Sequence, residues 1–261
     1  MSSGRAILHA FADEERPARA LADMLAIPFA IISLHTFPDG ELLPTVPDTA
    51  PTTIVYRSLA RPNDKLIALM LAGDAWRRAG AHRLVLAAPY MCYLRQDAVF
   101  SPGQPNSQTV IGEILGSRFD RIITVDAHLH RIRTLSEVFP RAEAQDLCAA
   151  PLIARWLREH HPEVECIIGP DLESGNWVSQ VAAALGVEHR LMAKVRRSDT
   201  DVRLTIDASQ QIEGRALALG EGDVAGDGLV LEALDHGGEP VVDGVDVGVV
   251  DLVGVAGEDD L

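Results

Sequence analysis

The sequence predicts an α/β protein: mainly parallel sheets flanked by helices, in two successive domains of similar plan. Three observations predict it. Short apolar strand patterns alternate with amphipathic helical patterns along the chain. Apolar residues make up 47% of the chain but aromatic residues only 5%, so the cores are built from Ala, Val, Leu and Ile. The alternation also runs through its plan twice, with a join near residues 140–147.

The elements follow in order. A strand over 5–10 precedes a helix over 16–26, where Ala and Leu recur at helical spacing. Strands follow at 29–37, 41–46 and 52–58. The segment 61–81 reads as a strong amphipathic helix, with Asn63 or Asp64 as its N-cap and Gly80 near its stop. A buried strand at 82–90, a helix at 106–118 opening on Asn or Ser, and a strand at 120–132 complete the first round. The second round is a helix at 147–160, a strand at 164–171, a helix at 173–186 and strands at 188–195 and 201–206. It closes at 217–234, "LALGEGDVAGDGLVLEAL", which reads as strand, loop and helix. That is the outline of a phosphate cradle at a helix N-terminus.

Bulk chemistry narrows the function. The formal net charge is −15, which disfavours nonspecific nucleic-acid binding. It is unevenly spread: residues 220–261 hold 12 of the 38 acids, no Lys or Arg, and ten of the 21 glycines. No apolar stretch approaches the roughly 20 residues of a membrane span, and the N-terminus lacks a signal-peptide pattern. Cys92, Cys148 and Cys166 have no CxxC spacing. Buried thiols in a reducing, cytoplasmic compartment are the expectation.

Five polar segments lie where strands end, the usual place for ligands in such sheets. "FPDGE" (37–41) is ordinary turn chemistry, or a loop offering Asp39 and Glu41 to a ligand. "PYMCYLRQD" (89–97) ends a buried strand and delivers Arg95, Gln96 and Asp97 together; this is either a phosphate-and-base site or a surface ion pair. "TVDAHLH" (124–130) presents Asp126, His128 and His130. They fit a zinc trio, a histidine assisting a magnesium–phosphate complex, or plain surface and core histidines. "GPDLES" (169–174) brings Asp171 and Glu173 to a helix start, where Ser174 or Glu173 caps the helix or Asp171 serves a hard-cation site. "AKVRRSDTD" (193–201) gathers Lys194, Arg196 and Arg197, as an exposed hairpin or as a mobile cationic loop. Together they suit a nucleotide, a magnesium ion and a second phosphorylated substrate. No GxxxxGK[ST] is present.

In this order and spacing the five segments resemble those of the ribose-phosphate pyrophosphokinase family. "FPDGE" is similar to its F-x-D-G-E loop, "PYMCYLRQD" to its P-Y-x-x-Y-x-R-Q-D segment and "TVDAHLHRI" to its D-x-H element. "GPDLES" resembles its P-D strand end and "AKVRR" its K-x-R loop. The resemblance implies two tandem type I phosphoribosyltransferase-like domains, 1–145 and 146–261, the second truncated or degenerate at its end. It implies transfer of the diphosphoryl group of ATP to O1 of ribose 5-phosphate. Asp39, Gly40 and Glu41 would contact adenine across a subunit interface in a homo-oligomer. Arg95, Gln96 and Asp97 would bind ATP, and His128 and Asp171 would hold Mg²⁺. Lys194 and Arg196 would stabilise the charge on the transferring group, and Asp223 and Gly228 would bind the ribose phosphate.

Three departures qualify the resemblance. "AVFSPGQPNS" stands where better-known members carry a basic stretch, and "GPDLESGNW" replaces P-D-x-G-G. In the closing loop, where the family carries D-D-x-x-[DS]-T-G-x-T, Gly222, Gly226, Asp227 and Val230 replace an acid, an acid or Ser, and two threonines. A carboxylate about 4 Å from a phosphate costs about 4 kcal/mol at an effective dielectric near 20, or roughly a thousandfold in affinity. A weakened homologue that binds nucleotide and regulates a true synthetase is therefore the rival expectation. A nucleobase phosphoribosyltransferase is disfavoured by the "RQD" and "AKVRR" segments.

Overall fold

In the computed structural model, residues 5–169 and 174–191 are described in full, with the backbone of strands at 193–196, 202–205, 215–221 and 229–234. The chain divides into two compact units, Met1–Leu147 and Cys148–Leu261.

The first unit is a seven-stranded sheet. Its strands are β1 (Ala6–Phe11), β2 (Phe29–Thr36), β3 (Leu42–Thr45), β4 (Thr52–Tyr56), β5 (Arg83–Ala87), β6 (Arg121–Val125) and β7 (Glu143–Leu147). They lie in the order β3-β2-β1-β4-β5-β6-β7. Only the β2–β3 pair is antiparallel; the other five pairs are parallel. Strand order reverses between β1 and β4, the topological switch point.

Alternation along β1 assigns its two faces. Leu8 and Ala10 are fully buried with Ala18 and Ala22 of helix α1 (Glu15–Met24). Phe11 joins the larger core on the opposite face, with Leu69, Ala72 and Trp76 of α2 (Pro62–Arg78) and Leu115 of α3 (Ser107–Arg118). The short helix α4 (Leu135–Val138) adds Leu135 and Val138 to the same core. Helices thus cover the sheet from both sides, as expected for parallel strands.

Several boundaries differ from the sequence expectation. Helix α2 starts two residues earlier than an Asn63 cap would place it, because Pro62 supplies a pre-set φ at the first helical turn and Arg61 is the N-cap. Strand β7, "EAQDL", is a polar edge strand without a clear apolar period. Helix α4 spans one turn, held by a reciprocal cap between Thr134 and Glu137.

The second unit contains α5 (Ala150–His160), β8 (Val164–Gly169), α6 (Gly175–Leu185), β9 (Glu188–Leu191), β10 (Ala193–Arg196), β11 (Val202–Thr205), β12 (Arg215–Glu221) and β13 (Leu229–Leu234). A four-stranded sheet runs β13-β12-β8-β9, and β10 with β11 forms a separate antiparallel pair. The single strand expected over 188–195 is thus divided between two sheets. Segment 229–234 is not the expected helix. It pairs antiparallel with β12, Gly220 opposite Val230 and Glu221 opposite Leu229. Its apolar residues satisfy their backbone in a ladder with β12.

Candidate functional site

Two neighbouring parallel strands, β5 and β6, run out at the same edge of the first sheet, with Ala87 opposite Ile123. The ladder continues past them, Ala88 donating to Ile123 at 2.8 Å and Val125 to Pro89 at 3.2 Å. The segments carrying Arg95–Gln96 and His128 therefore leave the sheet side by side.

The first segment is anchored by what it buries. Met91, Cys92 and Leu94 sink into the core, and burial pushes the Cys92 thiol up to about 12. That thiol is packing, not a nucleophile. Tyr93, at φ +60, donates its hydroxyl to Asn63 at the start of α2 (2.7 Å). With both neighbours inward, Arg95 and Gln96 remain exposed.

The first turn of α3 fixes Gln96. Ser107 donates its hydroxyl to the Gln96 amide oxygen, and the Gln108 amide donates to the Gln96 carbonyl at 3.1 Å. The Gln108 side chain donates to the Leu94 carbonyl at 3.2 Å. Asn106 caps α3 by accepting from Thr109 (3.2 Å) and donates to the Asp97 carbonyl (3.2 Å). Asp97 itself faces inward: its side chain is 1% exposed and paired with Arg131. Its expected place among ATP-contacting groups thus differs from that of its two neighbours.

The second segment turns sharply at Asp126, whose φ of +45 is left-handed. Asp tolerates that region better than most residues. The Asp126 amide donates to Leu147 (2.8 Å) and the Ala127 amide to the Asp146 carboxylate (2.9 Å). Burial raises the Asp146 pKa, partly offset by that amide. The rings of His128 and His130 meet edge-on, centroids 4.2 Å apart. Among the described residues no group of three His, Cys, Asp or Glu side chains could hold a metal, so a complete zinc trio at 126–130 is not formed.

The FPDGE loop is elsewhere on the same sheet. It closes the β2–β3 hairpin: Phe37 donates to Glu41 (2.8 Å), Gly40 to Phe37 (2.9 Å), and Glu41 to the Asp39 carboxylate (3.2 Å). Gly40 has φ +91, which favours glycine. Three strand spacings, about 14 Å, separate β2 from β5, so Asp39 and Glu41 do not join Arg95 and Gln96 within one chain.

Lys194 and Arg196 lie on β10, opposite Leu204 and Val202; alternate positions put them on one face of that hairpin. They are in a strand rather than a loop. Asp171, Asp223 and Gly228 lie outside the described residues.

Sequence reasoning missed the carboxylate–guanidinium cluster at the switch point. Arg57, 5% exposed, reaches Asp13 at 2.5 Å and Glu14 at 3.0 Å, and Lys65 approaches Glu14 at 3.6 Å. The Arg57 guanidinium also lies 4.5 Å from the Phe11 ring centroid. Burial raises the Glu14 pKa, against the pull of Arg57 and Lys65. No spacing rule links residues 43 apart. A pocket of about 220 Å³ beside Asp97, Gln108 and Arg131 is smaller than the roughly 300–1,000 Å³ of ordinary ligand sites.

Known proteins with these features agree with one another. Residues 7–117 match the family described as the N-terminal domain of ribose phosphate pyrophosphokinase. The ribose-phosphate pyrophosphokinase of Methanopyrus kandleri is 32% identical over 218 residues, covering 82% of this chain and 73% of that one. The enzyme of that name from Halobacterium salinarum is 31% identical over 222 residues, covering 83% and 76%. The crystal structure of phosphoribosylpyrophosphate synthetase from Mycobacterium smegmatis superposes with a TM-score of 0.64 at 22% identity, covering 78% and 68%, and shows the shared fold. With relatives this similar over most of both lengths, the chain belongs to the ribose-phosphate pyrophosphokinase family.

Proposed function

We propose that this protein transfers the diphosphoryl group of ATP to O1 of ribose 5-phosphate, giving phosphoribosyl pyrophosphate and AMP. The observation that carries the proposal is that the segments bearing Arg95–Gln96 and His128 leave the neighbouring parallel strands β5 and β6 side by side, in a chain of this family. Arg95 is suited to ATP phosphate oxygens and Gln96 to a base edge, with the Gln96 amide already oriented by Ser107. Asp97 belongs to this group as its buried support.

The donor set fits Mg²⁺. This ion keeps several waters and takes few protein groups plus substrate phosphates, so His128 and Asp171 suffice without a closed cage. When bound, Mg²⁺ supplies charge neutralisation on the phosphates. Lys194 and Arg196 stabilise the charge spread over the transferring group. Asp223 and Gly228 hold the ribose phosphate. The chain's contribution is alignment and electrostatics, with no covalent intermediate on the protein.

The FPDGE hairpin supports a homo-oligomer with a shared ATP site. Its about 14 Å offset from β5 leaves Asp39, Gly40 and Glu41 free to serve a partner's adenine. Leu34, Phe37 and Leu43 around it are 38%, 39% and 52% exposed, an apolar surface suited to cover by a second copy. No helix among the described residues is long and apolar enough to cross a membrane, and a reducing cytoplasmic setting fits three cysteines outside any disulfide, Cys92 and Cys166 buried and Cys148, against expectation, exposed.

A second reading, a nucleotide-binding regulatory homologue, is favoured by one observation. β12 leads into a strand, not a helix, so the phosphate loop loses the helix N-terminus it would use, and Asp227 adds a repelling charge. Measuring AMP release from ATP and ribose 5-phosphate separates the two. Turnover supports the enzyme; magnesium-dependent ATP binding without turnover supports the regulator. In either case His128→Ala weakens the magnesium dependence of ATP binding, and an unchanged dependence removes His128 from the metal site.

A further inference from the structure

The Asp97–Arg131 pair joins the two segments on which the proposed site depends. The Asp97 carboxylate takes the Arg131 guanidinium on Oδ1 and the Arg131 backbone amide on Oδ2, the latter at 3.3 Å. Asp97 follows Gln96 directly, and Arg131 is three residues beyond His128. Its side chain is 58% exposed while the carboxylate it meets is 1% exposed. The guanidinium also lies 5.3 Å from the Phe100 ring centroid, in the loop after Asp97. One side of the Arg95–Gln96 segment is therefore bolted to the first turn of α3, through Ser107, Gln108 and Asn106. The other side is tied to the His128 segment by the charge-assisted Asp97–Arg131 contact and by the Arg131 backbone amide on the same carboxylate.

We infer that Arg131 is a positioning residue: its clamp on the buried Asp97 carboxylate sets Arg95–Gln96 and His128 at the separation that one magnesium–nucleotide complex requires. The inference rests on the proposed nucleotide and metal sites. Arg131 touches neither phosphate nor metal. It works because the two segments leave separate strands, β5 and β6, and the Asp97–Arg131 contact ties them together beyond the ladder hydrogen bonds at their roots. Charge-assisted hydrogen bonds are short and stronger than neutral ones, so this one limits how far the segment tips drift apart. Lysine keeps the charge but lacks the planar fork.

The test measures ATP binding with and without Mg²⁺ in the full-length wild type, Arg131→Lys, Arg131→Ala, Asp97→Asn and the Asp97→Asn/Arg131→Ala pair. Amide hydrogen exchange is followed over 94–97 and 126–131 in the same proteins. Metal-free ATP, held through Arg95 and Gln96, binds Arg131→Ala within about twofold of wild type. Magnesium–ATP binding falls about tenfold, the scale of one charge-assisted hydrogen bond. Arg131→Lys recovers part of the loss, and the double variant is no worse than either single one, because both remove the same contact. Exchange quickens in both segments in Arg131→Ala. Equal losses with and without Mg²⁺, additive losses in the double variant, or exchange unchanged at 94–97 would overturn the clamp. A wild type that binds no magnesium–ATP overturns the proposed site instead, and the exchange data still report whether the two segments are joined.

Discussion

The first sheet gathers arginine and carboxylate at two places, and the two differ in burial. At the β1–β4 switch point, Arg57 is 5% exposed and closed over by Asp13, Glu14 and Lys65. At the β5–β6 edge, Arg95 and Gln96 stand in solvent and only Asp97 is buried. Open α/β sheets usually bind ligands at the switch point; here that crevice is filled by its own ions. The candidate site is displaced toward β5 and β6, where longer loops keep charge at the surface. Residue type does not separate the two edges. Burial does.

The largest effect expected is from Arg57→Ala, which leaves Glu14 buried without its main partner. Loss of about 3 kcal/mol in unfolding free energy, by urea titration, is the expected outcome. Arg95→Ala should cost under about 0.5 kcal/mol of stability while weakening ATP binding. If Arg95→Ala unfolds as readily as Arg57→Ala, the contrast between the edges is broken.

His9 sharpens the structural side of the comparison. It is fully buried on β1, accepting from the Trp76 indole at 2.9 Å, and burial lowers its pKa from 6.5 to about 4. The unfolded chain binds a proton that the folded one refuses, so this stability is complete above pH 6.5 and is lost as pH falls toward 4. The loss reaches about 3 kcal/mol. Unfolding titrations at pH 7 and pH 4.5 should differ by most of that in wild type and by clearly less in His9→Gln.

On the other edge, a Cβ at Gly112 would overlap the Val138 carbonyl oxygen and sit 3.1 Å from its Cγ1. Gly112→Ala should push α3 from α4 and lower thermal stability by about 1–3 kcal/mol; a neutral result would show that α4 yields freely. Asn106→Ala should cost about 1 kcal/mol for the lost helix cap. Hydrogen exchange at the start of α3 should rise with it.

The motif segments FPDGE, PYMCYLRQD and TVDAHLH were legible because residue type, order and turn chemistry all lie within short windows. Elements with weak local pattern were not. β7 offers "EAQDL", in which Ala144 is the one apolar residue before Leu147, and it is a strand because β6 presents an open ladder beside it. Segment 229–234 carries apolar residues that suit helix and strand alike, and the partner β12 decided for strand.

By itself, the sequence determined the alternating α/β plan, the family and the polar groups at the strand ends, since periodicity and short motifs are local properties. Tertiary structure alone decided that Asp97 faces inward onto Arg131 and that Arg57 plugs the switch point. It also decided that FPDGE lies three strands from RQD. Those facts depend on strand order, and strand order is set by which surfaces bury one another across long stretches of chain.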